Sequence, residues 1–158
     1  MVSLLDYISI FGHGIAAALF GALAIWQFQR KVDRNNKQIW LIIAIALTSF
    51  WALSIAVEGY LSPISRFAET LRNFGWLGFM FILLQAGEGR DEPKTVNSIY
   101  AALAFVLVGQ MLVDSLIPAF SGSPRLEGVT LYTSLVLRMI FAVGALVLVH
   151  NLYSISAP

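Results

Sequence analysis

Long apolar runs separated by brief polar interruptions organise the whole chain. Five of them, near residues 4–28, 39–61, 67–86, 96–118 and 129–152, are each able to cross a hydrocarbon core of about 30 Å, which takes roughly 20 helical residues. The third is crowded at its start by Glu69, Arg72 and Asn73. Between the runs stand RKVDRNNK, SPIS, GEGRDEPK and SGSPRLEG, none long enough to hold a folded catalytic domain. The runs lack the strict alternation of a lipid-facing barrel. Backbone in hydrocarbon must also satisfy its own polar groups, which leaves helices as the spanning form. The pattern therefore predicts an all-α fold: a polytopic transmembrane helical bundle of about five spans, forming one membrane-embedded domain over residues 1–158.

Composition agrees with the pattern. Hydrophobic residues make up 58% of the chain and charged residues 12%, with a mean hydropathy of +0.78. An ordinary soluble domain carries about 25% charged residues; this chain has too little polar surface to coat a water-soluble globule. The net charge of +1 is no nucleic-acid signature, because the basic residues sit in short clusters between apolar runs. With no cysteine, disulfides, thiolate metal sites and cysteine nucleophiles are all excluded. The residues ALA at 22–24 resemble a signal-peptide cleavage site, but Asp6 stands where a basic n-region belongs and the positive cluster follows the run. That order predicts an uncleaved first span.

The positive residues also orient the bundle. Arg30, Lys31, Arg34, Lys37, Arg90 and Lys94 lie in the first and third connections, whereas Arg66, Arg72 and Arg125 lie at or beside the second and fourth. By the positive-inside rule the first and third connections are cytoplasmic, the N-terminus is outside and residue 158 is inside. All five prolines (63, 93, 118, 124 and 158) fall at span ends or in connections. Neither an internal repeat nor an interrupted helix is visible, which lowers the case for a transporter.

Within the spans, small residues mark close packing. Gly14, Ala18, Gly21 and Ala22 in the first run, and Gly75 and Gly78 in the third, can bring helix backbones together or form a homodimer face. Trp26, Trp40, Trp76 and the tyrosines at 7, 60, 132 and 153 lie mostly near span ends, where amphipathic rings favour the headgroup region; Trp51 is deeper and reads as core. The intramembrane ionisable residues His13, Glu58, Glu69, Arg72, Asp114 and Arg138 all fall between the outer surface and the midplane in this topology, and they form the candidate polar cluster. Arg138 lies about 13 Å into its span by helical rise. It calls for an acid at matching height: Asp114 on the sequential antiparallel neighbour, or Glu58. Such a cluster is either structural or an outward-facing pocket for a ligand or stimulus.

Enzyme motifs are missing. There is no phosphate loop, no metal-spaced set of His, Asp and Glu, and no nucleophile elbow, so no catalytic residue, metal or cofactor is assigned. His13 and His150, in or at the end of a span, do not look like phosphoacceptors for a soluble kinase domain.

Two short motifs carry a resemblance. Leu71, Arg72, Asn73 and Trp76 in the third run, then Asn151, Leu152 and Tyr153 at the end of the fifth, resemble the N-terminal membrane region of PEP-CTERM-system sensor histidine kinases of the PrsK type. The resemblance covers most of the chain in arrangement, but these two motifs are its specific content. It implies a multi-pass sensor module of the bacterial inner membrane, followed in the family by further spans, a GAF-like domain and a kinase core linked to exopolysaccharide and PEP-CTERM gene control. None of the kinase motifs occurs here, so whether the chain counts as an enzyme is open, and it reads as the first part of a longer protein. The expected partners are the lipid bilayer, a second copy, and downstream kinase domains. A small transporter or channel subunit and a membrane scaffold are the alternatives.

The orientation is testable because the chain has no native cysteine. A cysteine introduced by Asn35→Cys is expected to resist an impermeant thiol reagent in intact cells and to react once the membrane is opened; labelling in intact cells would overturn the assignment.

Overall fold

The computed structural model describes residues 4–30, 35–85, 94–120 and 122–156. Five α-helices account for almost all of them: α1 (Leu4–Gln29), α2 (Asn36–Glu58), α3 (Pro63–Gln85), α4 (Lys94–Leu116) and α5 (Pro124–Ser156), with one 3₁₀ turn at Pro118–Phe120. No strand occurs among the described residues. Lys31, Arg34 and Arg90, three of the residues that orient the bundle, lie outside the described set.

Four helices are long and apolar enough to cross a membrane: Tyr7–Gln29, Asn36–Glu58, Asn97–Phe120 and Arg125–Asn151. This makes the chain a membrane protein by length and composition. The expected third run is helical too, but Arg66, Glu69 and Arg72 keep α3 below the apolarity of the others.

Several helix ends differ from the apolar boundaries, each for a local reason. α2 stops at Glu58 rather than 61, because Gly59 takes φ 83° and its N–H closes on the Ile55 carbonyl at 2.9 Å. Only glycine reaches that backbone region without strain. α3 begins at Pro63 rather than 67. Ser62 caps it, its Oγ accepting the Ser65 N–H at 3.1 Å, and proline suits the first helical position because no intrahelical partner awaits its missing N–H. Ser65 Oγ then donates to the Gly59 carbonyl at 2.8 Å and ties the two helix ends together. The expected SPIS connection is in fact Gly59–Ser62. α4 starts and ends two residues early, at Lys94 and Leu116. Starting five residues early at Pro124, α5 extends to Ser156; the Glu127 N–H bonds the Ser123 carbonyl at 3.0 Å, so the polar stretch before the apolar run is already helical. At 33 residues α5 is about 50 Å long, more than a hydrocarbon core requires.

The chain forms two compact units, Met1–Phe79 and Met80–Pro158. In the first, α1 and α2 pack antiparallel. Ser49 Oγ donates to the Ala17 carbonyl at 2.8 Å, and a Cβ on Gly21 would stand 3.1 Å from the same oxygen. The packed face of α1 is therefore Ala17, Gly21 and Ala24, while Ala18 and Ala22 are exposed. That corrects the small-residue face expected from spacing: Gly21 belongs to it, and the other positions are displaced by a fraction of a turn. α3 runs back along α2. Gly75 seats on Ala44, where a Cβ would come within 2.9 Å of Leu47 and 3.2 Å of the Ala44 Cα, and Gly78 leaves space for the Trp40 indole. In the second unit α4 and α5 are antiparallel; Leu103 fills the space that Gly144 leaves open, and Phe81 meets Tyr100 edge to face at 5.2 Å.

Filling the α2–α3 seat should show in stability. Gly78→Val is expected to lower stability by about 1–3 kcal/mol through collision with Trp40. Gly14→Ala, at a position with nothing within 4 Å, should be neutral or stabilising by up to about 1 kcal/mol. Thermal unfolding in detergent separates the two.

Candidate functional site

Each unit contains a polar centre that apolar helices must position and satisfy. The one in the first unit is built around Trp51. One face of its ring carries the Arg72 guanidinium, 3.9 Å from the centroid, and the His13 ring meets it edge to face at 5.7 Å. Helix packing brings these together: α1 and α3 both pack on α2, and all three residues lie in the half of their helix nearer the α2–α3 turn. The negative face of the indole attracts a cation, and such a contact contributes about 0.5–2 kcal/mol depending on its exposure.

Hydrogen bonds fix the members of this centre. His13 Nδ1 donates to the Ser9 carbonyl one turn back at 2.8 Å. Arg72 donates from Nη2 and Nε to the buried Asn73 Oδ1 at 3.0 and 3.3 Å. One turn along α3, Trp76 Nε1 donates to Thr48 Oγ1 at 3.0 Å, and Thr48 passes its own proton to the Ala44 carbonyl at 2.8 Å. Trp51 Nε1 is buried with no hydrogen-bond acceptor among the described residues.

In the second unit the centre is an ion pair. Arg138 Nη2 lies 3.4 Å from Asp114 Oδ2, and Ser134 Oγ donates to Asp114 Oδ1 at 2.6 Å. Ser134 and Arg138 are one turn apart on α5 and therefore share a face, which lets both reach one carboxylate on α4. Side-chain exposure is 15% for Arg138 and 9% for Asp114. The long arginine is thus drawn into protein rather than towards the headgroups, as expected for a charge near the middle of the Arg125–Asn151 span.

Of the six residues singled out from the sequence, His13, Glu58, Glu69 and Arg72 belong to the first unit and Asp114 and Arg138 to the second. The structure joins His13 to Arg72 through Trp51, and Asp114 to Arg138 directly. Glu69 is half-buried on α3, and Glu58 is exposed at the last residue of α2. Trp51, Thr48, Asn73 and Ser134 were not among the six. Ser134 was detectable in principle, one turn before Arg138, whereas the role of Trp51 depends on two helices remote from it in sequence. No group of three or more His, Cys, Asp or Glu residues able to hold a metal occurs among the described residues.

Comparison with family models, curated proteins and solved structures finds no match.

The ion pair makes a quantitative prediction. Asp114→Asn leaves Arg138 without its carboxylate, which at the centre of a span costs roughly 2.5–3.5 kcal/mol on insertion scales. The double variant with Arg138→Met should lose less than the sum of the two single losses, because neither charge is then stranded. A double-mutant cycle on thermal unfolding in detergent reads this directly; additive effects would disprove the coupling.

Proposed function

We propose that the chain is the membrane-embedded input module of a sensor, similar in arrangement to the N-terminal region of PEP-CTERM-system sensor histidine kinases of the PrsK type. One observation carries this reading: the residues of the resembling motif in α3 are not scattered towards lipid but built into the polar centre. Arg72 stacks on Trp51 and bonds Asn73, and Trp76 bonds Thr48 on the neighbouring helix. Leu71 is half-buried beside them. In the second motif Asn151 is half-buried and Tyr153 exposed, while the side chain of Leu152 lies outside the described residues.

In this reading α3 is a fifth span. From the Gly59–Ser62 turn it follows α2 back as far as Trp40, close to the start of that helix, so a partner that crosses the bilayer supports α3 crossing with it. Three further polar residues of α3, Ser65, Thr70 and Asn73, are buried against protein, and Arg66, Glu69 and Arg72 are half-buried. Five spans, an outside N-terminus and a cytoplasmic residue 158 in a bacterial inner membrane then follow from the positive-inside bias. The catalytic kinase domains would belong to downstream sequence, and histidine kinase activity to the full protein. A second reading, a membrane scaffold that assembles as a homodimer, is favoured by the exposure of Ala18 and Ala22 on α1.

The reading frame beyond the Pro158 codon tests the proposal: it is expected to continue into further spans and kinase boxes. A stop with no kinase gene beside it would favour the scaffold. The isolated chain is expected neither to hydrolyse ATP nor to transfer phosphate to His13 or His150, since no phosphate-binding loop exists to hold the nucleotide. Incorporation of radiolabelled phosphate into the purified chain would refute that assignment.

A further inference from the structure

The charged end of the α1–α2 hairpin has no part in either polar centre. Arg30 follows the last residue of α1, and its guanidinium lies 4.5 Å from the centroid of the Trp26 ring. Trp26 is 52% exposed, and Arg30 is exposed as well. The stack therefore stands at the rim of an apolar helix rather than in its packing. Five residues on, Asn35 precedes α2 in extended conformation and offers no side-chain cap to the helix. No acidic residue lies in the first turn of α2, which instead carries Lys37.

These features all favour an anion. The first backbone N–H groups of a helix carry partial positive charge and lack intrahelical partners. Here the usual neutralising elements, a cap hydrogen bond and an acid in the first turn, are both missing. Antiparallel packing of α1 on α2 brings Arg30 to the same end of the hairpin. In sequence the residues from 30 to 37 add Lys31 and Arg34 against a single acid, Asp33, so the segment carries a net charge of +3 (four bases less one acid). An exposed tryptophan of this kind settles at the headgroup level, and holding Arg30 against it keeps the guanidinium at the depth of lipid phosphates.

We propose that Trp26, Arg30 and Lys37, at one end of the α1–α2 hairpin, form a binding surface for the headgroup of an anionic phospholipid. The tryptophan ring contacts the glycerol and upper acyl region, and Arg30 and Lys37 share the single negative charge of the phosphodiester. The site rests on the membrane reading alone and is independent of the sensor proposal.

The test is lipid retention by the purified full chain, offered an equimolar mixture of phosphatidylglycerol and phosphatidylcholine and measured by native mass spectrometry. Phosphatidylglycerol should be retained in preference. Each basic residue near an anionic surface contributes about fivefold, so Arg30→Gln with Lys37→Gln should lower the apparent affinity by about 25-fold at low salt. Trp26→Leu should weaken it further than loss of an apolar contact explains, because Arg30 loses its support. Arg125→Gln, an exposed base at the start of α5, should leave the preference intact. Lys37→Gln alone serves if the double variant fails to fold. Equal retention of the two lipids would overturn the proposal, as would a preference that survives the double variant or falls equally in Arg125→Gln. Displacement of phosphatidylglycerol by inorganic phosphate at matched concentration would show a free-anion site and overturn the lipid assignment.

Discussion

A charge or hydrogen-bonding group surrounded by hydrocarbon has no water to turn to, so leaving it unanswered by another part of the chain is costly. The folded arrangement follows closely from that requirement. Arg138 lies near the middle of a 27-residue apolar stretch, and the position of α5 against α4 is the one that delivers Asp114 to it, with Ser134 occupying the second carboxylate oxygen. Arg72 meets an indole face and a neighbouring amide oxygen in the first unit.

Helices that must deliver polar groups to one another have to approach closely, and hydrophobic burial does not drive that approach in lipid as it does in water. Small residues supply the room. Ala17 and Gly21 let Ser49 reach an α1 carbonyl, Gly75 lets α3 touch the Ala44 backbone, and Gly144 admits Leu103. In the α2–α3 pair the close contact and the polar contact reinforce each other, because the Thr48 hydroxyl that accepts from Trp76 is one turn from Ala44 and donates to its carbonyl. The short link Gly59–Ser62 then fixes the register, held by one glycine with positive φ and a serine cap.

A tightly satisfied polar centre is compatible with two roles, since the same hydrogen bonds that stabilise a bundle also define two-state elements that a stimulus can bias. The first centre is least complete at Trp51 Nε1, which is buried with no acceptor among the described residues. In the second centre both carboxylate oxygens of Asp114 are engaged.

By itself the sequence determined the class of the molecule. Apolar runs of this length and number are those of helices able to cross a membrane, where side chains and backbone are both satisfied. The demand of Arg138 for an acid on the adjoining helix was likewise legible, since helical rise alone places Asp114 at matching height. Only the tertiary structure decided which face of each helix is used. Ala18 and Ala22 have the spacing of a packing face, yet Ala17 and Gly21 were chosen, because a rotation of a fraction of a turn about the helix axis changes neither composition nor periodicity. It also decided that Trp51 is the hub of a cation and a histidine rather than simple core. That role exists only once α1 and α3 are both docked on α2, and partners 38 positions before it and 21 after it leave no trace in a local pattern (51 − 13 and 72 − 51).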